Sequence, residues 1–191
     1  MNKIPTIFKR DMSNGGRITK ELDKEHLYDF NFSISTATEK LDGTNIRVTV
    51  RNHTVVRVEK RRNPTKIEKH KGIKDPWYID AYETEPSDKH IFNAVKGTDF
   101  TTIPDGEWSA EALGEKIQGN PLNLAGNKLY LFSCYAEEVF IFEDAPTTYD
   151  ELKEWLPKQK SKYGNDCGIE GIVWHHPSGR MAKIKTKDFR K

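Results

Sequence analysis

Short alternations of apolar and polar residues mark the clearest elements of the chain. The runs that are typical of β-strands are residues 45–51, 54–58, 129–132, 139–142, 169–176 and 181–186. Asn52-His53 separates the first two runs and Pro177-Ser178-Gly179 separates the last two, so each pair is predicted to form an antiparallel hairpin. The runs at 129–132 and 139–142 are the most apolar, and they are predicted to lie centrally in a sheet.

Helical periodicity is rarer. Thr148 and Glu151 have the spacing of a capping box and precede an apolar face, which predicts a short helix that ends near Pro157. Ser87 is predicted to cap a second helix, whose inward positions are Ile91, Phe92 and Val95. Residues 71–86 are predicted to be a loop. Because strands outnumber helices, the predicted class is α+β.

Length and composition indicate one folded domain. At 191 residues, of which 35% are hydrophobic, the chain is long enough to bury a core and is predicted to be a single domain over residues 1–191. No run reaches the roughly 18 apolar residues of a bilayer span, and nothing after Met1 resembles a signal peptide. Cys134 and Cys167 are too far apart to indicate a disulfide framework or a zinc site, so free thiols in a reducing compartment are expected. We therefore predict a cytoplasmic protein without a membrane partner.

Two basic segments stand out from an acidic remainder. Residues 57–71 and residues 180–191 each carry a net charge of +5, whereas the whole chain carries +2 and the rest of it −8. If the two segments meet in the fold, they would form a surface that attracts phosphates. The alternative is that both are ordinary solvated charges.

The segment that most clearly indicates catalytic chemistry is Glu39-Lys40-Leu41-Asp42-Gly43-Thr44-Asn45, directly before the first predicted hairpin. A lysine is a nucleophile only after its ammonium has lost a proton, and nearby cations favour that loss. Lys183 and Lys185 alternate along a predicted strand, so both ammonium groups would lie on one face. The alternative is that Lys40 is an ordinary surface lysine beside a glycine turn.

This segment resembles the covalent nucleotidyltransferase superfamily of DNA ligases, RNA ligases and mRNA capping enzymes, whose signature is Lys-x-Asp-Gly. Glu39-Lys40 followed by Gly43-Thr44-Asn45 is most similar to the phage-type, nick-sealing RNA ligases. Further similar segments follow in the family's order: Arg61-Arg62-Asn63, Glu111-Ala112-Leu113-Gly114, Leu129–Phe132, Glu170-Gly171-Ile172-Val173 and Lys183-Ile184-Lys185. The resemblance implies an α+β, ATP-grasp-like nucleotidyltransferase domain of antiparallel sheets flanked by short helices that enclose a nucleotide cleft.

The resemblance also implies catalytic roles. Lys40 would attack the α-phosphate of ATP and become lysyl-AMP, while Lys183 and Lys185 would neutralise that phosphate and favour the uncharged form of the nucleophile. Glu170 is the implied ligand of a divalent cation, Mg²⁺ or Mn²⁺.

Nucleotide contacts are implied for a larger set of residues. The implied cofactor-binding residues are Glu39, Lys40, Asn45, Arg62, Glu111, Phe132, Lys183 and Lys185. Within this set, Phe132 would pack on the adenine, Glu111 would accept from the ribose hydroxyls, and Arg62 would contact ribose and phosphate. Arg61 is an alternative to Arg62, and Glu107 is an alternative to Glu111. Glu39 would read the edge of the adenine, either directly or through its backbone.

The implied activity is that of an ATP-dependent RNA ligase, which transfers AMP to an RNA 5′-phosphate and then seals it to a 3′-hydroxyl in RNA repair. Arg61, Arg62 and Lys66 would contact the nucleic acid. The alternatives are a DNA ligase, an mRNA capping guanylyltransferase, or a noncatalytic RNA-binding module with the same fold.

The protein's setting and extent are further expectations. We expect a monomer in the cytoplasm of a bacterium or a virus-infected cell. Because little of the chain follows Lys185, a separate C-terminal domain is predicted to be missing. The chain would then be a minimal ligase, an excised catalytic domain, or a ligase whose partner supplies the missing domain.

Overall fold

The computed structural model describes residues 3–132 and 140–189. Its strands in this part of the chain are β1 (Phe8–Asp11), β2 (Arg17–Leu22), β3 (Thr36–Glu39), β4 (Thr44–Arg51), β5 (Thr54–Arg62), β6 (Trp77–Asp80), β7 (Gly106–Gly114), β8 (Asn127–Leu131), β9 (Gly171–His175) and β10 (Met181–Lys185). The α-helices are α1 (Lys66–His70), α2 (Lys89–Lys96) and α3 (Tyr149–Trp155). Short 3-10 helices occupy Met12–Asn14, Phe32–Ile34, Leu156–Lys158 and Thr186–Phe189. None of the described helices is long and apolar enough to cross a bilayer.

The described residues divide into two compact units. The five-stranded unit contains residues 3 and 42–132, and the three-stranded unit contains residues 4–41 and 140–189. The chain passes from the three-stranded unit into the five-stranded unit between Leu41 and Asp42, within the Lys-x-Asp-Gly segment. One catalytic domain over residues 1–191 stays a prediction.

The five-stranded unit is an antiparallel sheet with the order β6-β5-β4-β7-β8. Asn52 and His53 join β4 to β5 with φ values of 47° and 59°, which is the left-handed conformation that a two-residue hairpin turn needs. On one face of β4, Ile46, Val48 and Val50 are fully buried and pack in a core that includes Ile91 and Ala94 of α2. The predicted hairpin is therefore confirmed, and its apolar residues form one side of the core.

The opposite face of this sheet is polar. Because side chains alternate along a strand and register partners share a face, the pairs Asn45 with Glu111, Arg47 with Glu59, and Arg61 with Tyr78 place six polar side chains on one surface. We call this surface the polar face, defined by Asn45, Arg47, Glu59, Arg61, Tyr78 and Glu111. It collects residues from four strands that are distant in sequence.

The three-stranded unit contains an antiparallel sheet with the order β10-β9-β3 and the separate hairpin β1-β2. The predicted hairpin of β9 and β10 is confirmed, with Val173 opposite Lys183 and Gly171 opposite Lys185. One face of this sheet is core, where Ile172, Trp174, Ala182 and Ile184 are buried. The other face therefore carries the alternate residues of β10, which include both lysines.

Two strand predictions need correction. Residues 140–142 form no strand, since only Ile141 makes an isolated bridge, to Thr38, and residue 139 lies outside the described residues. Phe140 and Phe142 are nevertheless buried, so their apolar character serves packing and not a ladder. Conversely, the predicted loop at 71–86 contains β6, a strand at the edge of its sheet whose pairing with β5 has no local signal.

The predicted helices form, but their caps differ from the prediction. Thr148 is the N-cap residue of α3, yet its hydroxyl donates to the Glu151 carboxylate (2.5 Å) and makes no hydrogen bond to a backbone amide. Asp88, not Ser87, is the N-cap residue of α2. A complete capping box does occur at α1, a helix that was not predicted, between Thr65 and Glu68.

Candidate functional site

Two lysines share one buried carboxylate in the three-stranded unit. Glu170 Oε2 accepts a hydrogen bond from Lys40 Nζ at 2.5 Å, and Glu170 Oε1 accepts one from Lys185 Nζ. The side chain of Glu170 is 8% exposed, and those of Lys40 and Lys185 are 20% and 23% exposed. We call these three residues the lysine cluster. Its two ammonium groups exceed its one carboxylate in charge, so it favours an anion.

Strand register explains why these residues meet. Lys40 directly follows β3, and its backbone N–H donates to the carbonyl of Gly171 (2.9 Å) at the start of β9. Glu170 directly precedes β9, and Lys185 ends β10 opposite Gly171. The last residues of β3 and β10 and the first residue of β9 therefore lie at the same end of the sheet. Lys183, two residues before Lys185, lies on the same face of β10.

Gly171 and Gly43, which belong to two of the predicted motifs, lie where a neighbouring strand approaches too closely for a side chain. A Cβ at Gly171 would lie 2.0 Å from the carbonyl oxygen of Ile184, so a side chain there would push β10 away from Glu170. In the five-stranded unit, a Cβ at Gly43 would lie 2.3 Å from the carbonyl oxygen of Ala112 and 2.9 Å from Glu111 Cγ. Both glycines thus allow strands that carry predicted site residues to pack closely.

The two cations change the acid–base chemistry of Glu170. Burial acts to raise the pKa of the Glu170 carboxyl, but the charge of Lys40 and the hydrogen bonds from Lys185 and Lys40 outweigh it. The pKa of Glu170 therefore lies below its ordinary value of 4.5. The carboxylate stays charged at neutral pH, which suits both an ion pair and a metal ligand.

Glu170 by itself matches the donor that a hard divalent cation requires. Among the described residues, no group of three or more His, Cys, Asp or Glu side chains surrounds a possible metal position. Mg²⁺ and Mn²⁺ are commonly held by one or two carboxylates, with phosphate oxygens and waters as the other ligands. Because both oxygens of Glu170 accept from ammonium groups, a cation would share or replace one of these contacts.

Glu39 points into the protein, on the other side of β3 from Lys40. It is 5% exposed, and its carboxylate accepts from Ser161 Oγ (2.5 Å) and from the backbone N–H of Lys162 (2.7 Å). Burial raises the pKa of the Glu39 carboxyl above its ordinary value of 4.5, although these hydrogen bonds act in the opposite direction. The contact with Ser161 was not predicted, since no local pattern joins residues 122 positions apart. Adenine recognition by Glu39 stays a prediction.

On the polar face, Asn45 lies between Tyr78 and Glu111. The Tyr78 hydroxyl donates to Asn45 Oδ1 at 2.8 Å, and Asn45 Nδ2 lies 3.4 Å from Glu111 Oε2. Glu111 is 8% exposed. In contrast, Glu107, the alternative on the same strand, has a side chain that is 52% exposed and lies 3.3 Å from Arg47. Tyr78 belongs to the segment predicted as a loop, which is why the sequence did not indicate it.

The two adjacent arginines of β5 lie on opposite faces of the sheet. Arg62 Nη1 donates to Glu68 (2.9 Å), and its guanidinium lies 4.6 Å from the ring centroid of Trp77. The hydrogen bond from Arg62 is the main reason that the pKa of the Glu68 carboxyl lies at about 2, and the hydrogen bonds with Thr65 lower this pKa further. Arg61 lies on the polar face, and its buried Nε has no hydrogen-bond partner within the described residues. Arg62 is thus engaged locally, and Arg61 retains a donor.

The other predicted site residues of this unit are Phe132 and Lys66. Phe132 directly follows β8, is half-buried, and its ring centroid lies 5.7 Å from that of Tyr130. Lys66 is the first residue of α1 and is exposed. Their contacts with adenine and nucleic acid stay predictions.

Comparisons with known proteins identify the fold. No protein-family model matches the sequence, and no curated protein matches it. Among solved structures, the chain is similar to the RNA ligase of Naegleria gruberi. One mutant of that enzyme, solved with AMP and Mn, superposes with a TM-score of 0.51 at 16% sequence identity. Another mutant, solved with ATP and Mn, superposes with a TM-score of 0.51 at 15% identity. Each match covers 97% of this chain and 60% of the ligase chain. An apo mutant gives 0.50 and 16%, over 99% of this chain and 62% of that one.

The chain therefore has a fold similar to that of these RNA ligase structures, with antiparallel sheets and few short helices in the described residues, as predicted. It spans about three fifths of the length of the ligase chains that it matches. At this identity the similarity concerns the fold, and the phage-type branch and the nucleotide cleft stay predictions.

Proposed function

We propose that the chain is an ATP-dependent RNA ligase of the phage-type, nick-sealing branch, with Lys40 as the nucleophile. The observation that carries this proposal is the lysine cluster, in which a buried carboxylate holds Lys40 and a second ammonium group side by side. The ligase-type fold supports it, since mutants of the Naegleria enzyme were solved with AMP or ATP and Mn.

In the first step, Lys40 Nζ attacks the α-phosphorus of ATP. A nitrogen–phosphorus bond forms while the bond from the α-phosphorus to the bridging oxygen breaks, so pyrophosphate leaves and lysyl-AMP remains. Lys40 must first lose its ammonium proton, and Glu170 is the carboxylate in contact with it. Lys185 and Lys183, on one face of β10, neutralise the charge on the α-phosphate. A divalent cation, when bound at Glu170, supplies further charge neutralisation at the phosphate.

The polar face supplies the candidate nucleotide contacts of the five-stranded unit. Glu111 is favoured over Glu107 for the ribose hydroxyls because it is buried beside Asn45. Arg61 is favoured over Arg62 for ribose or phosphate contacts because Arg62 is already bound to Glu68 and stacked on Trp77. This reverses the preference drawn from the sequence. We retain Phe132 for stacking on the adenine.

In the later steps, AMP moves from Lys40 to an RNA 5′-phosphate, and a 3′-hydroxyl then displaces AMP to seal the strand. The exposed cations of α1, Lys66 and Lys69, together with Lys71, are proposed to contact the RNA backbone. Such contacts are electrostatic and weaken with salt. We further propose that the protein is a cytoplasmic monomer.

The decisive experiment is intact mass spectrometry after incubation with ATP and Mg²⁺. We expect a mass increase of one AMP that pyrophosphate removes, and none with GTP. Lys40→Ala should give no adduct, whereas Lys20→Ala should behave as the wild type, since Lys20 forms an exposed ion pair with Asp150 and has no contact with the lysine cluster in the described residues. Absence of the adduct in the wild type, or its persistence in Lys40→Ala, would contradict the proposal.

A sealing assay then separates RNA ligase from the alternatives. Nicked duplexes with an RNA or a DNA 3′-hydroxyl strand are compared under the same conditions. We expect sealing of the RNA nick. Exclusive sealing of the DNA nick would indicate a DNA ligase, an adduct with GTP would indicate a capping enzyme, and RNA binding without any adduct would indicate a noncatalytic module.

A further inference from the structure

The end of β10 that carries Lys185 is fixed by an aspartate outside every motif described above. The backbone N–H of Lys185 donates to Asp188 Oδ2 (3.0 Å), and Asp188 lies in the 3-10 helix that directly follows the strand. The spacing matches the half of a capping box in which a side chain three residues on accepts from the first backbone amide. Asp188 thus sets where the strand stops and the helix begins.

Arg10 of β1 holds Asp188 from the other side. Arg10 Nη2 donates to Asp188 Oδ1 at 2.7 Å, and the Asp188 side chain is only 10% exposed. Arg10 also donates to the carbonyl of Gly16 (2.8 Å) and to Thr6 Oγ1 (3.3 Å). Because the guanidinium is held at three acceptors, this pair is more ordered than a typical surface ion pair.

The same helical turn is attached directly to Glu170. The backbone N–H of Thr186 donates to the carbonyl of Glu170 (2.8 Å), and Thr186 Oγ1 donates to the carbonyl of Ile169 (3.1 Å). Phe189 anchors the turn in the core, with its ring centroid 5.1 Å from that of Tyr149. The turn therefore holds the backbone of Lys185 at a fixed distance from the backbone of Glu170.

We propose that Asp188, held by Arg10, is a positioning residue that keeps the Lys185 ammonium on Glu170. Lysine has a long flexible side chain, so the placement of its ammonium depends on the backbone from which it extends. Without Asp188, the end of β10 loses the acceptor that fixes it, and the ammonium samples a wider range of positions. The kinetic consequence rests on the proposed function, whereas the placement of Lys185 does not.

The first experiment measures placement without nucleotide, by mass-spectrometric rates of amine labelling at individual lysines. In Asp188→Ala we expect Lys185 to label several-fold faster than in the wild type, with Lys20 unchanged. Asp150→Ala is the matched control, because it breaks the exposed pair of Lys20 with Asp150 and should leave Lys185 unchanged. A general loosening of the fold would instead accelerate the labelling of Lys40 and Lys60, which are also partly buried, together with that of Lys185.

A second variant guards against loss of folding. Arg10→Ala removes the cation but leaves Asp188 to accept from Lys185, so it should accelerate labelling of Lys185 less than Asp188→Ala does. If Asp188→Ala does not fold, Arg10→Ala decides the question alone. Labelling of Lys185 at the wild-type rate in a folded variant would overturn the proposal.

The second experiment measures single-turnover formation of lysyl-AMP. We expect Asp188→Ala to lower the rate at saturating ATP by about tenfold, because small misplacements of charged groups slow chemistry more than binding. The ATP concentration for half-maximal rate should stay within about twofold, and Asp188→Asn, which keeps an acceptor, should recover most of the rate.

The outcomes distinguish the two proposals. A wild type that forms no adduct contradicts the proposed function, and the labelling rates then decide the placement of Lys185. A wild type that forms the adduct at the same rate as Asp188→Ala overturns the positioning role only.

Discussion

In the three-stranded unit two ammonium groups share one buried carboxylate, whereas in the five-stranded unit the buried Glu59 belongs to an arginine network in which the carboxylates outnumber the cations. Glu59, which is 2% exposed, receives two hydrogen bonds from Arg47, at 2.7 and 2.8 Å. Glu170 instead receives one from each of two lysines. Arg57 also lies 3.3 Å from Glu59, but the two arginines further pair with Glu107 and Asp80, so this network carries no excess positive charge. The lysine cluster, in contrast, leaves excess positive charge beside a buried acid.

This difference teaches where an anion can be accommodated. A bidentate arginine–carboxylate pair satisfies the partners' geometry and charge, so it has little affinity left for phosphate. The lysine cluster retains a net positive charge, and a phosphate oxygen can replace Glu170 as the hydrogen-bond acceptor of one ammonium group. On this argument, Arg47 and Glu59 stabilise the sheet, and the lysine cluster is the candidate phosphate site of the proposed function.

Neutralising each buried carboxylate should break the comparison most strongly. Glu170→Gln leaves Lys40 and Lys185 facing each other without a counter-ion, and adduct formation should fall at least about 100-fold. Glu59→Gln should instead lower the free energy of unfolding by about 3 kcal/mol, since it removes the buried carboxylate that Arg47 and Arg57 share, while lysyl-AMP still forms. Intact mass spectrometry and urea unfolding measure the two effects. Equal loss of the adduct in both variants would abolish the distinction.

The adjacent arginines sharpen the comparison within the five-stranded unit. Arg61→Ala should weaken ATP binding by about tenfold, the cost of one charge-assisted hydrogen bond. Arg62→Ala should change ATP affinity by less than about twofold but lower the melting temperature, because it releases Glu68 and Trp77. Isothermal titration calorimetry and thermal unfolding test this pair. A larger affinity loss in Arg62→Ala would restore the preference drawn from the sequence.

The pH dependence of stability should differ between Glu39, the last residue of β3, and Glu170, which directly precedes β9. The folded protein raises the pKa of Glu39 above 4.5 and lowers that of Glu170 below it. Glu39 therefore contributes stability that is present at low pH and lost as pH rises through its folded pKa. Glu170 contributes stability that is present above its unfolded pKa and lost as pH falls through its folded pKa.

Urea unfolding between about pH 7 and about pH 4 compares each variant with the wild type. On acidification, the wild type should gain stability relative to Glu39→Gln and lose stability relative to Glu170→Gln. The same trend for both variants would show that one of the two directions is wrong.

The smallest expected effect concerns the exposed cations of α1. Lys66→Ala should weaken RNA binding and reduce the slope of log Kd against log salt by about 0.7 to 0.9, the value for one phosphate contact. Lys96→Ala is the control, because Lys96 is exposed but paired with Glu83. An unchanged slope in Lys66→Ala would remove α1 from the RNA surface.

Much of the local structure could be predicted. The hairpins of β4 with β5 and of β9 with β10 follow from alternation and turn residues, which act between neighbours in the chain. The placement of Lys183 and Lys185 on one face follows from the same periodicity of two. The edge strand β6 and the run at 140–142 were mispredicted, because pairing partners and burial are decided by the rest of the fold.

By itself, the sequence indicated the candidate site residues: a lysine at the end of one strand, a carboxylate before another, and two lysines on a third. Only the tertiary structure decided that Lys40 and Lys185 meet on Glu170, that Arg61 and not Arg62 lies on the polar face, and that Asp188 holds the end of β10. The physical reason is distance along the chain. Lys40 and Glu170 are 130 residues apart, and Arg10 and Asp188 are 178 apart, so their contacts exist only once strands from distant segments have paired.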